Sequence, residues 1–443
     1  MTSSLVSIDR NVLIERYRRG RARTKAIFDL IDEATYYTRP ISLRHPIVFY
    51  EGHLPAFSFN TLVKRGLGGP SIDARLETLF ARGIDPHESQ ARAGEAQSIW
   101  PTRQQVQDFA AEADRQILDA LEHSEIDQPG HPLLNRGEAV FAILEHESMH
   151  QETLLYMWHR LPLDQKRRPD GYVPRIEGFV PSNEWVDVPP GRATLGSDAE
   201  DIEFGWDNER PSARADVGEF AVERYNVTNA AFLEFVEAGG YADERWWRAD
   251  DWAWVQSEGV RHPLFWERHD GTWCWRSMFD GVPLPLAWPV YVSHAEASAY
   301  VNWRGCRLLT EAEFQRAAYG TPSASERRYP WGDEPPSAQH AAIDFSSWDP
   351  VPVGSHPAGR SVWGVDDLVG NGWEWTSSVF APFDGFTPMP SYPEYSADFF
   401  DGEHFVMKGA STVTARELVR PTFRNWFRAR YPYVYATFRC ARG

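Results

Sequence analysis

The chain has 443 residues, with 63 acidic against 45 basic side chains and a net charge of -18. That length supports two or three domains around a large core, and the acidic balance argues against nucleic acid or an anionic membrane surface as the main partner, which leaves small molecules. Cys274, Cys306 and Cys440 are too far apart for a C-x-x-C pair or a disulfide framework. With no signal-like N-terminus and no window of 18 consecutive apolar residues, the expectation is a soluble cytoplasmic protein.

The first 160 residues read as four helices, at about 9–36, 47–65, 102–124 and 136–160. The first carries Arg16, Arg18, Arg19, Arg21, Arg23 and Lys25, read as a solvated face. In the third, Val106, Phe109, Ala113, Ile117 and Leu121 form one apolar stripe at helical spacing. The fourth opens with Asn135 and Glu138 in capping-box spacing. Four helices of this length imply a bundle. The stretch from Pro162 to Pro181 looks like a linker, giving a helical domain at 1–165, a linker at 166–184 and a second domain at 185–443. Beyond the linker, short apolar runs alternate with Gly, Pro, Asn and Asp, and helices are predicted at Ser293–Arg304 and Thr310–Tyr319. Most of the 19 tryptophans fall in this half. The fold class is α+β, multidomain.

His146-Glu147-Ser148-Met149-His150 is H-E-x-x-H within the fourth helix. Imidazoles at i and i+4 project from one helical face and can grip a single divalent ion. The same letters occur in zinc peptidases, where the Glu is the general base, so a zinc hydrolase using Glu147 is one reading. Phe141-Ala142-Ile143-Leu144 before the pair and Leu154, Leu155 and Met157 after it mark a largely buried helix. A third imidazole, His53, lies in the apolar run Tyr50-Glu51-Gly52-His53-Leu54-Pro55-Ala56-Phe57 on the second helix. Facing helices of a bundle bring such residues together, although a hydrogen-bonded core histidine fits the same spacing. Three imidazoles on one side of an iron leave about three octahedral positions open, whereas zinc prefers a tetrahedral site with one water.

The second half contains Leu195-Gly196-Ser197, Asp207-Asn208-Glu209-Arg210-Pro211, Tyr225-Asn226-Val227-Thr228-Asn229, Arg307-Leu308-Leu309-Thr310-Glu311-Ala312-Glu313-Phe314 and Tyr329-Pro330-Trp331-Gly332-Asp333-Glu334. Further on come Gly370-Asn371-Gly372-Trp373-Glu374-Trp375-Thr376, Lys408-Gly409-Ala410-Ser411 and Phe438-Arg439-Cys440-Ala441-Arg442. From about 185 to 443 this resembles the formylglycine-generating-enzyme (sulfatase-modifying factor) fold, a relative of C-type lectins. Those enzymes need a cysteine pair late in the fold, and here only Cys440 stands there. A DinB-like four-helix bundle bearing His53, His146 and His150, joined to such a domain, resembles the non-haem iron sulfoxide synthases of ergothioneine biosynthesis. The resemblance implies an oxidoreductase with Fe(II) on the three histidines, O2 as co-substrate and hercynine as the acceptor of a chalcogen at imidazole C2. Asn425-Trp426, within Phe423-Arg424-Asn425-Trp426-Phe427, resembles the segment that holds the trimethylammonium end, where a Trp face offers cation-π attraction. Gln151 and Asn425 are candidates for orienting the substrate.

The departures concern the donor. Where thiol-using members keep tyrosines after Trp-Glu-Trp-Thr, this chain has Phe380 and Phe383, and where they place ionic anchors it has Phe427 and Tyr431. The phrase Arg44-His45-Pro46-Ile47-Val48-Phe49-Tyr50-Glu51-Gly52-His53 is similar to the selenoneine synthase branch, whose donor is a selenosugar. The expected activity is therefore carbon-selenium bond formation on hercynine. Three readings stand beside it: a sulfoxide synthase using cysteine or γ-glutamylcysteine, the zinc hydrolase, and a non-catalytic binding module of the lectin-like kind.

Overall fold

The computed structural model, which describes residues 8–81, 100–182 and 184–443, divides into two units: Met1–Tyr172 with Pro390–Tyr392, and Val173–Met389 with Pro393–Gly443. In the first unit, helix α1 (Arg10–Phe28) begins where the Asp9 carboxylate accepts the N–H groups of Asn11 and Val12. It stops at Asp29, short of the predicted residue 36, because the chain turns there. Ile31 forms a bridge with Lys166, and Glu33–Thr35 make a separate 3-10 turn. Helix α2 (Ile47–Ser58) runs on into a π-helical stretch, Phe59–Gly66, a rare geometry that is frequent at functional sites. A short helix α3 (Ala74–Leu79) is an addition to the sequence reading. Helix α4 (Arg103–His123) is capped by Thr102 and Gln105, and all five residues of its predicted stripe are buried. Val106, Phe109, Ile117 and Leu121 each contribute about 1.5–3 kcal/mol when fully buried, and the Ala113 methyl less.

Helix α5 (Glu138–Arg160) carries the H-E-x-x-H pair. Its start differs from the expected capping box. Arg136 and Gly137 take positive φ values of 55° and 67°, so the chain turns between Asn135 and the helix. Asn135 is thereby moved off the cap position, and its side chain accepts Gly130 N–H instead. The basic run on α1 is also less uniform than expected. Arg18 and Lys25 make exposed pairs, but Arg21 turns inward to Asp114 and Glu147.

The second unit is built from short strands. One four-stranded sheet has the order β1 (Trp185–Val188), β4 (Phe220–Glu223), β13 (Cys440–Arg442), β8 (Arg307–Leu308), and a second has β11 (Asn425–Arg428), β10 (His404–Ala410), β9 (Gly372–Val379), β12 (Ala436–Thr437). Ribbons β2–β3 (Gly191–Leu195, Ala213–Val217) and β5–β6–β7 (Trp266–His269, Thr272–Arg276, Gly281–Pro283) complete it. Its helices are α6 (Asn229–Glu237), α7 (Ala249–Ser257), α8 (His294–Arg304) and α9 (Glu311–Tyr319). The last two start at the predicted places, under capping boxes from Ser293 with Glu296 and Thr310 with Glu313. Val188, Phe220, Val222, Phe314 and Leu368 pack as one core cluster. Beside it the buried Arg439 guanidinium donates to both Glu374 oxygens and to the carbonyls of Glu223, Arg224 and Asp366. That full set of partners is what a buried charge requires. All three cysteines carry free thiols. Among the described residues no helix is long and apolar enough to cross a membrane.

Candidate metal centre

Helix α2 presents His53 toward His146 and His150 on α5, and one ring nitrogen from each lies within 4.8 Å of the others. His53 Nε2 and His146 Nε2 stand 3.2 Å apart. Two nitrogens bound to one ion at about 2.0–2.1 Å are separated by about 3–3.5 Å, so the spacing suits a shared metal. His53 Nδ1 lies 2.7 Å from the Phe80 carbonyl. A carbonyl only accepts, so Nδ1 carries the hydrogen and Nε2 presents its lone pair to the other two rings. The preceding Gly52 permits this contact, because a Cβ there would fall 2.4 Å from the Phe80 ring.

Burial lowers the pKa of His53 to about 4. His146 and His150 are pushed well below the usual imidazole range, first by burial and then by neighbouring imidazoles. All three rings are neutral at neutral pH, the form that ligates metal. Among the described residues no carboxylate joins the group. The donor set therefore fits a divalent transition ion with open coordination positions.

The remaining predicted residues fall elsewhere. Glu147, next to His146, points its carboxylate to α1, where Arg21 and Thr24 donate to Oε1. Gln151 donates to the Gly20 carbonyl and to Thr24 Oγ1, so its amide is engaged in the same α1–α5 packing. Sequence reasoning missed Phe80 and Phe57. Phe57 stacks on His146 with centroids 3.6 Å apart and planes at 14°, and Phe49 stacks on His53 at 5.0 Å and 18°. The spacing of Phe49, His53 and Phe57, each four residues from the next, is a stripe that could have been read.

In the second unit, strand alternation separates the residues grouped around Asn425 and Trp426. β11 pairs antiparallel with β10, with Trp426 opposite Val406 and Phe427 opposite Phe405, so Trp426 projects from one face and Asn425 and Phe427 from the other. Phe380, fully buried, lies flat on Trp426 with centroids 4.3 Å apart and planes at 4°. Tyr395 and Phe399 close in at 5.1 Å and 5.7 Å, two further rings that the sequence reading missed. Phe427 stacks instead on the buried Tyr431 at 5.0 Å and 15°. The Asn425 side chain accepts the Trp426 N–H. Phe383 lies 4.3 Å from the Arg424 guanidinium, which is itself paired with Glu311.

A helical unit holding three clustered imidazoles, joined to a domain of short sheets, defines a two-part architecture that known families share. Residues 16–154 match the DinB superfamily, and residues 176–443 match the sulfatase-modifying factor enzyme 1-like domain. The chain is 34% identical over 431 residues to the hercynine oxygenase of Mycobacterium tuberculosis, covering 96% of each chain. It is 35% identical over 381 residues to that of Mycolicibacterium smegmatis, covering 76% of this chain and 86% of that one. Ergothioneine biosynthesis protein 1 of Neurospora crassa is 28% identical over 488 residues, which cover 91% of this chain and 54% of that protein. The chain belongs to the hercynine oxygenase family and is an oxidoreductase; this membership overturns the zinc hydrolase and binding-module readings.

Proposed function

We propose that the chain is a non-haem Fe(II), O2-dependent synthase that joins selenium from a selenosugar to imidazole C2 of hercynine. The observation that carries the metal part is the group of three buried, neutral imidazoles within 4.8 Å of one another. His53, His146 and His150 hold the Fe(II), which when bound activates O2 and leaves positions for the chalcogen donor. The balance is one donor selenol, one ring C–H and one O2, giving the C–Se bond with its selenoxide oxygen and one water. Hercynine as acceptor is supported by the alignment to hercynine oxygenase over 96% of the chain.

Trp426 is the surface for the trimethylammonium, where a desolvated cation-π contact is worth about 1–2 kcal/mol. Phe380 fixes the plane of that ring, and Tyr395 and Phe399 add aromatic faces at its edge. Asn425, on the opposite strand face, acts by holding the Trp426 backbone N–H, and Gln151 acts by positioning α5 against α1. The selenosugar is favoured because the residues assigned to the donor carry no charge. Phe383 has no hydroxyl, Phe427 and Tyr431 stack on each other, and the Arg424 charge beside Phe383 is neutralised by Glu311. A lost charged contact costs about 1.5–3 kcal/mol, so amino-acid thiols are disfavoured by about one to two orders of magnitude per contact. The test is anaerobic reconstitution with Fe(II), then air, hercynine and an equal mixture of selenosugar and γ-glutamylcysteine, with mass spectrometry of the product. A predominant carbon-sulfur product returns the chain to ergothioneine-type synthesis.

A further inference from the structure

The three histidines are oriented in different ways. His53 is held by the hydrogen bond to the Phe80 carbonyl. His146 Nδ1 and His150 Nδ1 are both buried without a hydrogen-bond partner, although a ligating imidazole almost always donates its second N–H to an acceptor. Rings hold His146 instead. Phe57 covers one face, and Tyr392 meets His146 edge-on, with centroids 6.1 Å apart and planes at 68°. Tyr392 also packs on Phe57 at 5.1 Å.

Tyr392 belongs to the three-residue segment Pro390–Tyr392, which groups with the helical unit although it lies far downstream in sequence. The backbone of that segment is clamped from the bundle. Arg65, in the π-helical stretch after α2, donates to the Pro390 carbonyl at 2.9 Å and to the Ser391 carbonyl at 3.2 Å. Glu138, at the first turn of α5, accepts the Ser391 N–H at 3.2 Å. Two charged side chains thus fix three backbone polar groups immediately before the tyrosine, a degree of anchoring beyond what a passing loop needs.

We infer that Tyr392 is a positioning residue of the metal site. With Phe57, which covers one face, it buttresses the His146 ring from the edge, replacing the missing hydrogen bond, and the Arg65–Glu138 clamp sets where it stands. The inference rests on the three-histidine reading of the site but on neither substrate. A ligand ring without a hydrogen-bonded second nitrogen can rotate about its side-chain torsions unless packing prevents it, and each rotation away from the shared point weakens the site.

The test uses the full-length protein freed of metal and titrated with Co(II), read by its visible absorption, with no turnover involved. Tyr392→Phe keeps the ring and is expected to bind Co(II) within twofold of wild type. Tyr392→Leu, which keeps bulk but not the aromatic edge, and Tyr392→Ala are expected to bind at least tenfold more weakly with an altered absorption envelope. Arg65→Ala, which leaves every ring in place, is expected to weaken binding about threefold or more. Urea midpoints of the metal-free forms identify any variant that fails to fold, in which case Arg65→Ala decides. Co(II) binding by Tyr392→Leu and Arg65→Ala within twofold of wild type overturns the inference while leaving the three-histidine site intact. Undiminished Co(II) binding by His53→Ala would instead overturn the site itself.

Discussion

Glu147 offers the sharpest separation between the three-histidine site and an H-E-x-x-H hydrolase, because the two assign it opposite roles. Here its side chain is 5% exposed and its Oε1 accepts from Arg21 Nη1 at 2.9 Å and from Thr24. Removing one partner of a buried ion pair costs about 3–5 kcal/mol. Arg21 keeps a second carboxylate, Asp114, at 2.9 Å and is itself 18% exposed, so the cost falls to the bottom of that range or just below it. Glu147→Ala is therefore expected to destabilise the helical unit by about 2–3 kcal/mol, and Glu147→Gln, which preserves an acceptor but not the charge, by about 1.5–3 kcal/mol. Urea unfolding followed by far-UV circular dichroism measures the loss. A Co(II) titration on the same samples, below the unfolding transition, is expected to give affinities within about threefold of wild type. The reasoning is refuted if Glu147→Gln abolishes turnover while its unfolding midpoint is unchanged, since Glu147 would then be a reacting group.

His53→Ala, His146→Ala and His150→Ala are each expected to abolish turnover and metal binding while leaving the far-UV spectrum native, because an exchangeable ion in a large bundle need not hold the fold; full activity in His53→Ala would remove it from the site. Trp426→Ala should raise the half-saturating concentration of hercynine about tenfold or more and that of the chalcogen donor far less, and equal use of histidine and hercynine by the wild type would count against the trimethylammonium contact. A pH prediction comes from His294, whose burial lowers its pKa to about 3 although Nε2 meets the Thr376 carbonyl at 3.1 Å. Its folded pKa lies below the unfolded value of about 6.5, so the stability it confers is present above that pH and is lost as pH falls toward 3, by about 1.4 kcal/mol per pH unit. The stability gap between wild type and His294→Gln should shrink accordingly between pH 6.5 and 4, and a constant gap in urea unfolding would show that the ring titrates normally.

The parts of this protein that were legible in its sequence are those fixed by short-range periodicity. The stripe from Val106 to Leu121, the pair His146 and His150, and the caps at Ser293 and Thr310 all depend on spacings of three or four residues, and all stand where expected. The end of α1 and the start of α5 were misplaced, because each is decided by a backbone turn. In the second case it is the left-handed pair Arg136 and Gly137, which spacing alone does not reveal. His53 was identified as a candidate, but nothing in its own helix announces Phe80, whose carbonyl selects the tautomer from 27 residues away.

The grouping of Asn425, Trp426 and Phe427 shows a second kind of limit. Adjacent letters in a strand point to opposite faces, so a motif read as one surface becomes two: Trp426 with Phe380, Tyr395 and Phe399, and Phe427 with Tyr431. The substitutions that prompted a donor argument then acquire distinct physical meanings. Phe380, flat on Trp426 and shielded from water, is a support for the surface assigned to the trimethylammonium, where a phenol would have to bury its hydroxyl or find it a partner at a cost of about 1–3 kcal/mol. Phe383 lies over a guanidinium already neutralised by Glu311. On this basis restoring tyrosine at 383, where the ring is half-buried, is the milder change, and restoring it at 380 should disturb hercynine binding before it alters the choice of donor. A Phe380→Tyr variant that shifts donor preference toward γ-glutamylcysteine with an unchanged half-saturating concentration of hercynine would place residue 380 at the donor instead.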